Sequence, residues 1–190
     1  MFDFLKPAKA KAAIPAQEVM STYKKFRLLS LAGVFIGYAA YYLVRNNFAL
    51  STPYLLQALS MTKTEIGFLS SSMLIAYGLS KGIMSSIADK ASPKKYMAFG
   101  LVCCALVNVG LSFANGLYFF LGLVVMLGLF QGMGVGPSFI TIAKWYPRRE
   151  RGTIGAIWNV SHNIGGGLVA PIVAGAFIYW ERTIGVWQVI

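Results

Sequence analysis

The chain has 190 residues, of which 57% are apolar and 12% charged, whereas a soluble domain carries about 25% charged residues. That balance excludes an ordinary soluble globular domain and points to a chain that lives in a bilayer. With 17 lysines and arginines against 6 acidic residues, the formal charge is +11, and where those charges fall decides whether they mark nucleic acid or membrane topology.

Residues 1–27 carry Lys6, Lys9, Lys11, Lys24, Lys25 and Arg27 and no apolar run of signal-peptide length, so they predict an N-terminal cytoplasmic segment before a first span that stays in place. That span is predicted over about 28–56, and between Leu28 and Thr62 its only charge is Arg45. A second span runs from Ile66 to Ala88, interrupted only by Lys81, with Thr62 and Glu65 spaced as a capping box at its start. The uncharged run Met97–Ala143 is 47 residues long, too long for one crossing of about 20 residues. Ala114, Asn115 and Gly116 mark the turn that divides it into spans three and four. Cys103 and Cys104 in span three read as small apolar residues. Gly128, Gly132 and Gly136 recur at every fourth position of span four, making a smooth face for close packing. A fifth span covers Gly152–Trp180 and holds the single histidine, His162; a sixth begins near Gly185. The fold class is all-α: a polytopic membrane bundle over residues 28–190, with about five transmembrane helices and the start of a sixth.

Topology accounts for the basic excess. The segment before span one and the loops between spans two and three (Lys90, Lys94, Lys95) and between four and five (Lys144, Arg148, Arg149, Arg151) hold 13 of the 17 basic residues. The opposite loops hold Lys63 and Arg182. By the positive-inside rule the N-terminus is cytoplasmic, and no nucleic-acid partner is expected.

Three ionisable groups lie at membrane depth: Arg45, Lys81 and His162. All six acidic residues, Asp3, Glu18, Glu65, Asp89, Glu150 and Glu181, fall in loops or at helix ends. A cation in a bilayer faces the protein interior or water and is normally paired; with no carboxylate in the spans, the counter-charge is expected to be a ligand. The bland alternatives are that Lys81 snorkels to the interface, Arg45 meets a backbone carbonyl, and His162 is a neutral packing residue. Helical spacing places Tyr38, Tyr41 and Tyr42 on the face of Arg45, Tyr77 one turn before Lys81, and Trp158 and Asn159 one turn before His162. A cationic, hydrogen-bonding lining with aromatic walls suits phosphate, because guanidinium offers planar paired donors and lysine adds a point charge. Ser161 beside His162 raises an intramembrane enzyme, but neighbours on a helix point about 100° apart and do not form a nucleophile and base. No enzymatic activity, cofactor or metal is expected.

The loop SSIADKASPKKYM, with Asp89, Lys90, Lys94 and Lys95, resembles the loop between helices two and three of the major facilitator superfamily. Together with YYLVRNNF, AYGLSKGIM, FQGMG, PRRERG and WNVSHNIGGG, it makes the chain resemble the organophosphate:phosphate antiporter family of that superfamily along essentially its whole length. RNNFALSTPYL and LFQGMGVGPSFITIAKWYPRRERG are similar to its phosphoglycerate-transporting members. The resemblance implies exchange of a phosphorylated metabolite for inorganic phosphate across the bacterial inner membrane by alternating access. Arg45 then matches the phosphate-binding arginine of helix one, Lys81 the lysine of helix two and His162 the histidine of helix five. Glycerol-phosphate members have Lys at the position of Asn46 and Trp at that of Val135; both departures favour phosphoglycerate, and phosphoenolpyruvate after it, with hexose 6-phosphate the runner-up. The family has twelve helices, so the resemblance also implies a fragment whose partner is the missing C-terminal half. A transporter-like sugar-phosphate sensor is the competing class.

Overall fold

The computed structural model describes residues 3–7, 14–58 and 60–184. These form six α-helices: α1 (Val19–Ala58), α2 (Lys63–Ala88), α3 (Pro93–Ser112), α4 (Leu117–Gln131), α5 (Val135–Trp145) and α6 (Arg151–Ile184). No strand occurs among the described residues. A single 3-10 turn, Gly132–Gly134, joins α4 to α5, so the two read as one kinked crossing. Pro137 has no N–H to offer the carbonyl of Met133, which is where the α-helical ladder loses a rung.

Four stretches are long and apolar enough to cross a membrane: Ala16–Pro53, Lys63–Ala88, Pro93–Ser112 and Leu117–Trp145. The fifth expected span lies on α6, a continuous helix of 34 residues that is not among the four. Its first half carries Asn159, Ser161, His162 and Asn163, which dilute its apolar character. The expected sixth helix near Gly185 lies outside the described residues.

Local chemistry sets the boundaries. The Thr62 backbone N–H donates to Glu65 Oε2 at 2.7 Å and the Glu65 N–H donates to Thr62 Oγ1 at 3.2 Å, the reciprocal capping box that starts α2. Ser92 and Pro93 open α3, Pro93 sitting where no N–H is needed. Gly116 turns the chain between α3 and α4 with φ of 87°, a conformation that suits glycine. α1 begins at Val19 rather than near residue 28. Its extra turns are held by tertiary contacts: the Tyr23 hydroxyl donates to the Trp145 carbonyl at 2.8 Å, Arg27 pairs with Glu150, and the Tyr146 hydroxyl donates to the Arg27 carbonyl at 3.2 Å.

Two close helix pairs organise the bundle, α2 against α4 and α1 against α6. The expected smooth glycine face is the first of these contacts. A β-carbon on Gly128 would lie 2.5 Å from the Met73 carbonyl oxygen, one on Gly132 would strike the Ser80 side chain, and one on Gly136 would lie 2.8 Å from Ser85 Cα. Gly165 does the same for α6 against the backbone of Ala39. Backbone proximity of this kind is how helices associate where lipid removes the hydrophobic drive.

Gly128→Ala is therefore expected to destabilise the bundle by about 1–3 kcal/mol, read as a lower Tm in detergent. Gly122→Ala, where an added carbon meets nothing within 4 Å, is expected to be neutral or mildly stabilising through helix propensity.

Candidate functional site

Arg45 stands on α1, eighteen residues beyond Arg27, which at 1.5 Å per residue is roughly 27 Å along the helix. It is half-buried. Its guanidinium carbon lies 4.4 Å from the Tyr77 ring centre and 5.5 Å from that of Tyr42. Lys81, also half-buried, sits one turn beyond Tyr77 on α2 and places Nζ 4.6 Å from the same ring. Tyr77 thus stands against both cations, joining α1 to α2 where their backbones make little contact.

Aromatic contacts carry the cluster on to α6. The Tyr42 ring lies 5.2 Å from the His162 ring and 5.3 Å from Tyr38, and Tyr38 lies 4.4 Å from Trp158. Trp158 in turn meets Phe139 of α5 at 5.0 Å. The structure therefore brings Arg45, Lys81, His162, Tyr38, Tyr42, Tyr77 and Trp158 into one continuous set of contacts. Tyr38 and Trp158 are buried, while Tyr42 and His162 are half-buried.

Two neighbours expected on these faces lie elsewhere. Tyr41 turns away from Arg45 into the core, where its hydroxyl donates to the Met97 carbonyl at 3.0 Å. Gly100 and Gly134 leave it room, since a β-carbon on Gly134 would lie 2.9 Å from Tyr41 Cδ2. Asn159 is exposed. Ser161 is fully buried and its hydroxyl donates to the Trp158 carbonyl at 2.6 Å, so it is spent on its own helix rather than paired with His162.

Among the described residues no carboxylate lies within ion-pair distance of Arg45 or Lys81, and neither cation donates a hydrogen bond to a carbonyl. The acidic residue nearest in kind, Glu150, is engaged by Arg27 and Arg149 at the basic end of the bundle. Stacking on tyrosine contributes about 0.5–2 kcal/mol per cation but leaves the positive charge in place. What the wall offers is two donors of fixed charge, aromatic faces and an imidazole.

Two grooves elsewhere on the bundle, of about 390 and 720 Å³, do not include these cations. The first is lined by residues such as Asn47, Phe48, Asn108 and Ile172, the second by residues such as Gly33, Met97, Lys94 and Lys144.

The loop motif lies at the basic end. Asp89 ends α2, and Asp89, Lys90, Lys94 and Lys95 are all exposed. This loop is tied to the N-terminal segment: the Ser92 N–H donates to the Leu5 carbonyl at 2.8 Å and Lys95 Nζ donates to the Lys6 carbonyl at 3.3 Å.

Residue spacing did not point to Phe139 or Gln131. Gln131 is 3% exposed and both of its amide atoms lack a hydrogen-bond partner. It was visible only as the one amide of α4 (Leu117–Gln131).

The chain matches the Major Facilitator Superfamily over residues 34–190. It is 62% identical over 177 residues to the phosphoglycerate transporter protein of Salmonella typhimurium, covering 93% of this chain and 38% of that protein. To the glycerol-3-phosphate transporter of Haemophilus influenzae it is 40% identical over 190 residues, covering 98% of this chain and 40% of the relative. A membrane sensor protein of Salmonella typhimurium is 32% identical over 186 residues, covering 97% and 42% respectively. The chain thus spans about two-fifths of the length of the curated relatives it matches.

An unpaired cation destabilises the empty site, and an anion that binds the folded form stabilises it by about 2.7 kcal/mol at a hundred times its Kd. If the cationic wall holds an anion, inorganic phosphate should raise the Tm of the full-length protein in detergent. Arg45→Gln is expected to keep or raise the phosphate-free Tm and to abolish most of that shift; an unchanged phosphate shift would show that Arg45 does not hold the anion.

Proposed function

Because the chain belongs to the Major Facilitator Superfamily, we infer that it is the N-terminal part of a secondary transporter that exchanges a phosphorylated three-carbon acid for inorganic phosphate. The observation that carries this reading is the pair of cations sharing the Tyr77 ring, at 4.4 and 4.6 Å, with no carboxylate to neutralise them among the described residues. Relatives named as transporters of phosphoglycerate and glycerol 3-phosphate support the ligand class. On this reading the remaining helices of a twelve-helix protein complete the site from the facing half, near the membrane midplane. The basic loops face the cytoplasm of a bacterial cell, with the bundle in its inner membrane.

Arg45 takes the phosphate through paired guanidinium donors, and Lys81 adds charge from the neighbouring helix. His162 adds a group whose hydrogen bonding follows its proton. The tyrosines set the orientation of the cations. Two uncompensated positive charges oppose enclosure in a dry site, so the empty protein does not close and reorient. With an anion bound, the charge is balanced and the halves can rock. Exchange, rather than net leak, is the consequence.

Substrate choice within the class follows from Asn46 and Val135. Asn46 Nδ2 lies 3.0 Å from where a β-carbon of Gly166 would stand, so the position beside Arg45 is a short neutral amide against α6. The absence of a third cation at Asn46 and of the bulky Trp at Val135 favours phosphoglycerate over glycerol 3-phosphate. The second reading is a sugar-phosphate sensor, favoured by the 32% identical sensor relative; it would bind without exchanging.

In proteoliposomes holding the full-length protein, labelled phosphate exchange is expected to be competed by 3-phosphoglycerate more strongly than by glycerol 3-phosphate or glucose 6-phosphate. Arg45→Lys is expected to lower exchange about 10- to 100-fold despite keeping its charge, the size of a lost charge-assisted hydrogen bond. Near-normal exchange in that variant would refute the role of Arg45, and binding without exchange in the wild type would favour the sensor. Lys81→Ala is expected to weaken phosphate and phosphoglycerate alike; a loss confined to one would show that Lys81 is not a shared phosphate ligand.

A further inference from the structure

Among the described residues, Gln131 is the one long polar side chain buried inside the bundle with no partner. It is 3% exposed, and neither its amide nitrogen nor its amide oxygen makes a hydrogen bond. Buried amides are nearly always satisfied, and an exception calls for an explanation. Trp158 presents the same oddity, since its indole Nε1 is buried without a partner. Trp158 lies against Tyr38 with ring centres 4.4 Å apart, and the turn that follows Gln131 brings Gly134 to where a β-carbon would lie 3.3 Å from Tyr38 Cδ2.

The direction in which Gln131 projects follows from its neighbours. Gly128 and Gly132 face α2 at Tyr77 and Ser80, whereas Gly134 faces α1 at Tyr38 and Tyr41. Gln131 stands three residues before Gly134 across the 3-10 turn, where residues i and i+3 eclipse, so its side chain is directed as Gly134 is, toward α1 at Tyr38 and Tyr41. Its depth is set by the same contacts: one residue before Gly132, it lies between the levels of Tyr77 and Ser80, the stretch of α2 that leads to Lys81. An unpaired amide is thus directed toward α1 near the depth of the cationic wall, and the unpaired indole N–H belongs to Trp158, which lies against Tyr38 of the same helix.

We propose that Gln131 and the Trp158 indole form a neutral subsite that takes the oxygen-bearing carbon end of an organophosphate, the carboxylate or hydroxyl, while Arg45 and Lys81 hold its phosphate. This rests on the transport reading above and adds to it the recognition of the organic moiety. Inorganic phosphate has no such end. It fills the cationic part alone, which gives one protein two unequal ligands on a shared anchor. A neutral donor pair suits a carboxylate because it binds the charge without adding a third cation to an already uncompensated site. The amide oxygen is left to accept from a hydroxyl.

The test uses the full-length protein in proteoliposomes and compares half-saturating concentrations for inorganic phosphate and 3-phosphoglycerate. In Gln131→Leu, the ratio of the 3-phosphoglycerate value to the phosphate value is expected to rise about tenfold, the size of a lost hydrogen bond to a charged group. Gln131→Glu, which puts an acid where the carboxylate would sit, is expected to shift preference from 3-phosphoglycerate toward glycerol 3-phosphate. The ligand-free Tm of Gln131→Leu is expected to equal or exceed that of the wild type, since replacing an unsatisfied buried amide by an apolar isostere removes its desolvation penalty. An equal rise for both ligands together with a lower Tm would overturn the proposal and make Gln131 a structural residue, as would an unchanged ratio in both variants. Gln131→Met keeps the inference testable if the leucine variant does not fold. Absence of phosphate exchange in the wild type would instead refute the transport reading itself.

Discussion

Uncompensated positive charge at membrane depth is the constraint around which the bundle is arranged. Arg45 and Lys81 stand on different helices yet share one tyrosine ring, at 4.4 and 4.6 Å. Like charges this close repel, and low dielectric magnifies the repulsion. Stacking on Tyr77 and Tyr42 holds the side chains in place without cancelling their charge. An inserted cation costs about 2.5–3.5 kcal/mol on translocon scales, and here two persist without an acidic partner among the described residues. The structure is stable enough to keep them only because its cohesion comes from elsewhere.

That cohesion lies in backbone proximity. Gly128, Gly132 and Gly136 bring α4 and α5 against α2, and Gly165 brings α6 against α1. The same contacts fix the site: the first pair sets the depth of Tyr77 and Lys81, and the second places His162 beside Tyr42. At the basic end, Tyr23 with Trp145 and Arg27 with Glu150 lock the start of α1 to the end of α5 and to the loop that leads into α6. Packing and site geometry are thus one set of constraints, and widening either helix pair would move a cation.

Much of this was legible in the residues because charges and glycines punctuate the chain so clearly. The turn at Ala114–Gly116, the capping box of Thr62 and Glu65 and the glycine face follow from local chemistry that tertiary structure does not override. Where several contacts decide, the residues alone fell short. The extra turns of α1 depend on partners more than a hundred positions away. Tyr41 has helical spacing fit for the face of Arg45, but Gly100 and Gly134 open a place for its ring on the other side. The pairing of Tyr77 with Lys81 was visible along one helix, whereas its contact with Arg45 needed the packing of two. Gln131 carried no periodic signal at all; only its burial without a partner singles it out.

The most direct test of the account is efflux of labelled phosphate from proteoliposomes holding the full-length wild-type protein, measured with and without an external anion. If the bound anion supplies the missing counter-charge, efflux should be close to background in anion-free buffer and should begin when phosphate or 3-phosphoglycerate is added outside. Rapid efflux with no external anion would contradict the account, because it would mean that the empty site closes and reorients with its cations unneutralised.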